Sequence, residues 1–274
     1  MAERSTSIFL KRIVRRETRG MLEVRDIRKS FGGVDALRGC SFRIAEATIT
    51  GLIGPNGAGK TTLFNVISGI LKPDGGEVRF KEDKIEGLAT HLIARKGLLR
   101  TFQIPRVLNR MTVMENLLLY AKDQFGERLW PNFLQYARVL RQQKEILERA
   151  KEILEFVNLF ALRNAYAMEL SGGQKKLLEL ARVLMAEPRI ILLDEPGAGV
   201  NPTLMNELLK RIQQLQEKGI TFLLIEHDMD VILKLCEPVI VMTEGRKLTE
   251  GRFLDIRKDP RVLEAYLGKR QWNS

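Results

Sequence analysis

The sequence predicts an α/β protein in which a mostly parallel sheet carries a nucleotide-binding loop and is interrupted by a helical segment. A short β-branched run, ATITGLI at 47–53, leads into the stretch GPNGAGKTT and then into a helical pattern at 59–70. Two later apolar runs, RIILLDEP at 189–196 and ITFLLIEHD at 220–228, have the length and composition of buried strands. Between these parts, from 112 to about 180, the pattern is helical.

The remaining elements follow in chain order. MLEVRDIRKSF at 21–31 alternates as an opening strand does, and LKPDGGEV at 71–78 has turn chemistry that leads into another short strand. The helical part begins with MTVMENLLLYA and continues with a long charged segment at 133–157. A stripe with helical spacing in that segment predicts a face packed against neighbouring helices. Its members are Ile146, Ala150, Ile153, Leu154 and Val157.

Composition limits the possible functions. The 274 residues include 45% hydrophobic and 29% charged residues, which is ordinary for a globular protein, and we find no uninterrupted apolar run of membrane-spanning length. The net charge of +11 is compatible with an anionic membrane or a nucleic acid. Basic and aromatic residues do not cluster in one motif, so we expect no nucleic-acid partner. Two cysteines are too few for a disulfide framework and indicate a reduced, cytosolic setting.

The first 20 residues form a basic N-terminal extension with six basic and two acidic side chains. Its apolar residues could share one helical face at a membrane surface. A frayed basic tail explains the same composition, since chain termini are often poorly ordered. Both interpretations stay open.

The stretch Gly54 to Thr62 has the spacing of a phosphate-binding loop, GxxxxGKT, at a helix N-terminus. Asp194 and Glu195 end a buried apolar strand, and in a nucleotide-binding sheet ligands gather at the carboxyl ends of strands. One carboxylate can hold Mg²⁺ together with the Thr61 hydroxyl, and the next can polarise an attacking water. The alternative is an acidic pair that only ends the strand before a proline.

LSGGQ at 170–174 predicts a second anion site. Ser171 can cap the helix that follows, and the two glycines expose backbone N–H groups at its positive end. Two such sites far apart in the sequence indicate that one phosphate is held from both sides. Taken alone, the pentapeptide is also compatible with an ordinary capped turn.

Six motifs in a fixed order make the chain similar to the ATP-binding subunits of ABC transporters over nearly all of residues 21–270. Each motif is only moderately specific, whereas the ordered set is not a chance pattern. In chain order they are an adenine-stacking aromatic residue at Phe31; a Walker A loop at Gly54, Pro55, Asn56, Gly57, Ala58, Gly59, Lys60, Thr61 and Thr62; a glutamine loop at Gln103; a signature at Leu170, Ser171, Gly172, Gly173 and Gln174; a Walker B strand at Ile190 to Asp194 followed by Glu195; and a switch histidine at His227.

The resemblance implies the fold of ABC ATPases among the P-loop NTPases. That fold has a mostly parallel core sheet, an antiparallel β subdomain and a helical subdomain, here at about 112–185. The nucleotide-binding domain then spans 21–270 and follows the extension at 1–20.

The resemblance also implies how ATP and Mg²⁺ are bound. Lys60 would hold the β- and γ-phosphates, while Thr61 and Asp194 would hold Mg²⁺. Gln103 would contact both the metal and the attacking water. Glu195 would be the general base, and His227 would contact the γ-phosphate.

In this family the signature of one subunit binds the γ-phosphate of ATP held by another, here through Ser171 and Gly173. A single copy therefore contains only half of each complete ATP site. The resemblance implies a head-to-tail dimer with a second ATPase subunit. In the importer subgroup this second subunit is a different chain. The further partners implied are two membrane-spanning permease subunits and, indirectly, a solute-binding protein. The expected location is peripheral, on the cytoplasmic face of the inner membrane.

Shorter details resemble the subgroup that serves branched-chain and neutral amino-acid importers. They are SFGGVDALRGCSF, GLLRTFQIPRVLNRMTVMENLLLYA, LLIEHDMDVI, DPRVLEAYLG and the extra stretch at 124–140. Urea or amide importers and the lipopolysaccharide export ATPase are near relatives and remain alternatives. Ala47 departs from the pattern, because a glycine is common at that place, but it touches no assigned catalytic group.

Two other classes of function are alternatives to an ATPase that drives a transporter. A soluble ABC-type ATPase acting on DNA or ribosomes usually has paired nucleotide domains or a long coiled-coil insert, and this chain has neither. A nucleotide-bound regulatory or scaffold subunit would not need Glu195 and His227, which are both present.

Overall fold

The computed structural model describes residues 20–101, 107–122 and 136–267. The strands are β1 (Gly20–Phe31), β2 (Val34–Ala45), β3 (Ile49–Ile53), β4 (Gly75–Phe80), β5 (Asp83–Lys84), β6 (Leu98–Arg100), β7 (Ile190–Asp194), β8 (Thr221–Ile225), β9 (Val239–Thr243) and β10 (Arg246–Gly251). The helices are α1 (Lys60–Ile67), α2 (Thr90–Lys96), α3 (Val113–Leu118), α4 (Tyr136–Phe156), α5 (Gly172–Met185), α6 (Pro202–Glu217), α7 (Met229–Leu235), α8 (Phe253–Ile256) and α9 (Pro260–Leu267). Gln103, the extension at 1–19 and most of the stretch 124–140 lie outside the described residues.

The larger sheet has six strands in the order β10-β9-β3-β8-β7-β6. The pairings of β3 with β8 and β9, and of β7 with β6 and β8, are parallel, and β9 pairs with β10 antiparallel. Every residue of β3, β7 and β8 is buried, as parallel strands covered on both faces require. The prediction of a mostly parallel core sheet is confirmed.

The smaller sheet is antiparallel, in the order β2-β1-β4-β5. β1 and β2 form a long hairpin with several bulges, and Phe31 pairs with Val34 across its glycine turn. One apolar core joins this sheet to α1 and to the larger sheet, and it includes Leu22, Phe42, Phe64 and Leu192. The predicted antiparallel part of the fold is therefore also confirmed.

The chain divides into two compact units. Of the described residues, the sheet unit comprises 20–101, 189–197 and 212–267, and the helical unit comprises 107–122, 136–188 and 198–211. The predicted domain limits, with a helical subdomain at about 112–185, stay a prediction.

The helical unit is built around α3, α4 and α5. Thr112 begins α3 with a capping box, in which its hydroxyl accepts from the Glu115 N–H at 3.2 Å and Glu115 accepts in return. Four of the five residues of the predicted stripe lie on α4, and Val157 follows its last residue. Four of the five are buried, and Ile146 is half-buried. None of the helices in the described ranges is both long and apolar enough to cross a bilayer.

Candidate nucleotide-binding site

The phosphate-binding loop connects β3 to α1. A Cβ atom at Gly54 would lie 2.1 Å from the carbonyl oxygen of Met242 on β9, so no side chain fits there. Gly59 precedes α1 with φ of 94°, and no side chain caps the helix. The backbone N–H groups of the first turn, which begins at Lys60 and Thr61, are therefore available to an anion.

The ammonium group of Lys60 folds back over this loop. Its Nζ donates to the carbonyl oxygens of Gly54, at 2.6 Å, and Pro55, at 3.0 Å. Burial lowers the pKa of Lys60, while the nearby carboxylates of Glu195 and Asp194 act in the opposite direction. The cation thus lies within the electrostatic reach of Glu195, the predicted general base, and of Asp194, the predicted Mg²⁺ ligand.

Both carboxylates lie at the carboxyl edge of the larger sheet. Asp194 is the last residue of β7 and pairs in register with Ile225, the last residue of β8. The Glu195 N–H then donates to the carbonyl oxygen of Ile225 at 2.9 Å. Glu195 has a φ of 49°, which is unusual for a residue with a side chain and occurs often at functional sites.

The side chains of Glu195 and His227 are in contact. His227 Nε2 lies 3.0 Å from Glu195 Oε1, and the two residues follow the adjacent strands β7 and β8. The histidine side chain is 48% exposed and the glutamate side chain 24% exposed. The pair is therefore open to a substrate on one side and positioned by the sheet on the other.

Glu226 is a buried carboxylate of the site that none of the sequence motifs contains. Its Oε1 accepts the Gly197 N–H at 2.8 Å, and its Oε2 accepts the His227 N–H at 3.1 Å. It thereby ties the segment after Glu195 to the segment that carries His227. The available signal was an acidic residue at the end of a buried apolar run, the same signal that identified Asp194.

Arg100 is a second residue of the site that none of the sequence motifs contains. Its Nη2 donates to Asp194 Oδ2 at 2.7 Å, and both side chains are less than 10% exposed. Arg100 thus holds the Asp194 carboxylate through Oδ2. The signal was an arginine that ends the short apolar run GLL before the glutamine loop.

Phe31 is placed at the end of β1, just before the glycine turn. It is 44% exposed, and Lys29 Nζ lies 5.5 Å from the centre of its ring. The strand after the turn passes the phosphate-binding loop, since a Cβ atom at Gly59 would lie 2.5 Å from the Ala36 carbonyl oxygen. An exposed ring beside that strand is available for stacking.

The signature sequence lies in the helical unit. The Ser171 hydroxyl accepts the Gln174 N–H at 3.3 Å, and Gln174 Oε1 accepts the Ser171 N–H at 2.9 Å, which completes a capping box at the start of α5. The predicted helix cap is confirmed. A Cβ atom at Gly173 would lie 2.4 Å from Leu204 Cδ1, whereas one at Gly172 would meet nothing closer than 3.8 Å.

The structure thus brings four of the predicted residues together at one edge of the sheet unit: Lys60, Asp194, Glu195 and His227. The signature residues belong to the other unit, and Gln103 lies outside the described residues. We find no group of three or more potential metal ligands among the His, Cys, Asp and Glu side chains of the described residues.

Two family models match this chain. The model described as ABC transporter matches residues 37–198, which include the phosphate-binding loop, the signature and the acidic pair. The model described as branched-chain amino acid ATP-binding cassette transporter matches residues 246–270. The second match contains Tyr266 of α9, whose hydroxyl is hydrogen-bonded to the backbone of Gly54 in the phosphate-binding loop. Burial raises the pKa of Tyr266, and this hydrogen bond only partly opposes the increase.

Similar proteins cover almost the whole chain. A probable branched-chain amino acid transport ATP-binding protein LivG of Archaeoglobus fulgidus is 42% identical over 90% of this chain and 95% of its own length. The high-affinity branched-chain amino acid transport ATP-binding protein BraF of Pseudomonas aeruginosa is 40% identical over 92% of this chain and 99% of its own. A crystal structure of the ADP conformation of an ABC transporter ATP-binding cassette has 41% identity and a TM-score of 0.79, covering 91% of this chain and 99% of that one.

Proposed function

This chain belongs to the ABC transporter family as an ATP-binding subunit, and we propose that it energises an importer of branched-chain or neutral amino acids. The observation that carries the proposal is the extent of the likeness. Two relatives named as branched-chain amino acid transport ATP-binding proteins match at least nine-tenths of this chain at about 40% identity. The separate match at 246–270 lies outside the part that the general family model covers.

ATP binds across the phosphate-binding loop in this proposal. The uncapped first turn of α1 receives the β- and γ-phosphates, and the Lys60 ammonium exchanges its two loop carbonyl contacts for phosphate oxygens. Phe31 stacks on the adenine. The loop residues from Gly54 to Thr62 surround the phosphates.

The residues present fit a magnesium ion. Mg²⁺ typically takes one or two protein oxygen ligands and completes its octahedron with phosphate oxygens and waters. Thr61 and Asp194 supply such oxygens, and the Asp194 carboxylate is held by Arg100 through Oδ2. Gln103 is proposed as the third polar contact. When bound, the ion would neutralise charge that develops on the phosphates during transfer.

The hydrolysis step is assigned to Glu195 and His227. Glu195 accepts a proton from the water whose oxygen bonds to the γ-phosphorus, while the bond from that phosphorus to the bridging oxygen breaks and ADP leaves. The imidazole of His227 lies 3.0 Å from Glu195 Oε1 and keeps this carboxylate oriented, and His227 also contacts the γ-phosphate. Lys60 offsets negative charge on the phosphates. The positive φ of Glu195 supports this assignment, because strained backbone is retained where it positions a reacting group.

The catalyst is complete only in a head-to-tail dimer. Ser171, Gly173 and the neighbouring signature residues contact the γ-phosphate bound by the second ATPase subunit, and that subunit returns the same contact. The helix N-terminus at Ser171 offers backbone N–H groups for this purpose. In the proposed importer the second subunit is a different chain.

Two permease subunits span the membrane in this proposal and form the path for the amino acid. The chain then lies peripherally on the cytoplasmic face of the membrane, held there by those subunits, and a solute-binding protein delivers the amino acid from the other side. Closure of the ATPase dimer moves the permease helices.

Co-purification from gently solubilised membranes tests this assembly. The wild-type chain should be recovered with two permeases, a second ATPase and a solute-binding protein, and cells containing it should take up labelled leucine. The matched control is Lys60→Ala, which should still be recovered with the permeases but should lose both ATP binding and leucine uptake. Recovery with a soluble partner alone, or unchanged leucine uptake by the control, would contradict the proposal.

A further inference from the structure

Arg100 occupies an unusual place for a guanidinium group. It is the last residue of β6 and pairs in register with Leu192 on β7, two residues before Asp194. Its side chain is 8% exposed, and its Nε is buried without a hydrogen-bond partner in the described part of the chain. Burying a charged group costs free energy. Because a buried ion pair often contributes little net stability, stability alone does not explain why Arg100 is buried here. A role in the nucleotide site explains its position better.

The Arg100 guanidinium connects α1, which follows the phosphate-binding loop, to Asp194 at the end of β7. Nη2 donates to Asp194 Oδ2 at 2.7 Å, and Nη1 donates to Asn65 Oδ1 at 2.6 Å. Nη1 also lies 3.4 Å from Ser68 Oγ, and the group stands 5.5 Å from the Phe64 ring. Asn65 and Ser68 follow the phosphate-binding loop on α1 or at its end. Arg100 therefore links that helix directly to the acidic end of β7.

We propose that Arg100 is a positioning residue that holds Asp194 by one carboxylate oxygen and leaves the other oxygen directed to the nucleotide-bound cation or to one of its waters. The inference rests on the proposed function. A charge-assisted hydrogen bond to a guanidinium anchored on Asn65 restricts rotation of the Asp194 carboxylate. It also fixes the spacing between α1, which carries Thr61, and β7, which carries Asp194. Contacts of this kind orient the ligands of a metal ion.

The variant Arg100→Gln tests this role, because glutamine keeps a hydrogen-bond donor but cannot reach Asp194 and Asn65 together with a planar fork. We expect the Mg²⁺ concentration that gives half-maximal binding of a fluorescent non-hydrolysable ATP analogue to rise about tenfold. Binding of the analogue in EDTA should stay within twofold of wild type. Arg79→Gln is the matched control, since Arg79 pairs with Glu77 in the smaller sheet, and it should leave both values unchanged.

A second variant separates positioning from folding. Asn65→Ala leaves Arg100 and Asp194 intact but removes one anchor, and it should shift the Mg²⁺ dependence in the same direction by a smaller factor. If Arg100→Gln does not fold, Asn65→Ala and Arg100→Lys decide the matter, and both should need more Mg²⁺. An unchanged or lowered Mg²⁺ requirement in the folded variants would overturn the proposal. If wild-type binding did not depend on Mg²⁺ at all, the magnesium site of the proposed function would fail instead, while the importer itself is tested by leucine uptake.

Discussion

Nε2 of His227 lies 3.0 Å from Oε1 of Glu195, although the two residues are 32 positions apart in the chain. The parallel pairing of β7 with β8 ends both strands at the same edge, and this places the two side chains in contact. The contact gives the proposed general base a fixed orientation.

Glu195→Gln should lower the rate of ATP hydrolysis by about 10²–10⁴, because the amide keeps the shape of the carboxylate but cannot accept a proton. ATP affinity should be retained, since Lys60 and the phosphate-binding loop are unchanged. Together with its partner ATPase, the variant should accumulate an ATP-bound dimer, measurable by size-exclusion chromatography. Hydrolysis at the parental rate would disprove the assignment of the base.

Glu226→Gln should lower turnover about tenfold while leaving ATP affinity unchanged. Both carboxylate oxygens of Glu226 accept backbone N–H groups, from Gly197 and from His227, and glutamine can accept only one of them. Leaving a buried N–H without a partner costs about 1–3 kcal/mol. The measurements are kcat, ATP affinity and the unfolding midpoint.

The control for that variant is Glu250→Gln, which removes a partly exposed ion pair with Lys247. Exposed ion pairs contribute little, so we expect turnover to be unchanged. If both variants lowered turnover equally, or if Glu226→Gln lowered only stability, Glu226 would have no role in positioning His227.

The two signature glycines should respond differently to alanine. Within the helical unit, Gly173→Ala places a Cβ atom 2.4 Å from Leu204 Cδ1 and 3.1 Å from Leu204 Cβ, and rotation of the leucine side chain cannot relieve the second contact. A Cβ atom at Gly172 would instead make an ordinary contact, 3.8 Å from the Gly199 carbonyl oxygen. Overpacking costs about 1–3 kcal/mol, so the free energy of unfolding should be lower for Gly173→Ala by about that amount relative to Gly172→Ala. Denaturant unfolding of both variants measures the difference, and Leu204→Ala should restore stability to Gly173→Ala. Equal stability of the two single variants would contradict the packing argument.

Both cysteines should resist alkylation in the folded protein. Burial raises the pKa of Cys40 and of Cys236 from 9.0 to about 12. The thiolate is the reactive form, so at pH 8 its fraction falls about 10³-fold relative to an ordinary thiol. Labelling with iodoacetamide should be slow until denaturant is added, whereas the control Val34→Cys, at a position that is 68% exposed, should react at once. Fast labelling of the native wild-type chain would show that these thiols are accessible.

The sequence predicted the local parts of the site well. The strand, glycine loop and helix around Lys60 were predicted because each depends on residue types within about ten positions. The cap of Ser171 by Gln174 is equally local, since its two hydrogen bonds span three residues. Ala47, at a place where glycine is common, has a φ of 56°, which explains that preference.

Only the tertiary structure decided which distant side chains meet. Arg100 contacts Asp194 across 94 positions, and Glu226 contacts Gly197 across 29. The order β8-β7-β6 in the sheet produces the first contact, and the adjacency of β7 and β8 produces the second. Strand order depends on the packing of the whole core, whereas residue patterns determine only where each strand begins and ends. The sequence therefore determined the family, the phosphate-binding loop and the proposed base, and the fold determined the residues that hold the carboxylates and the histidine in place.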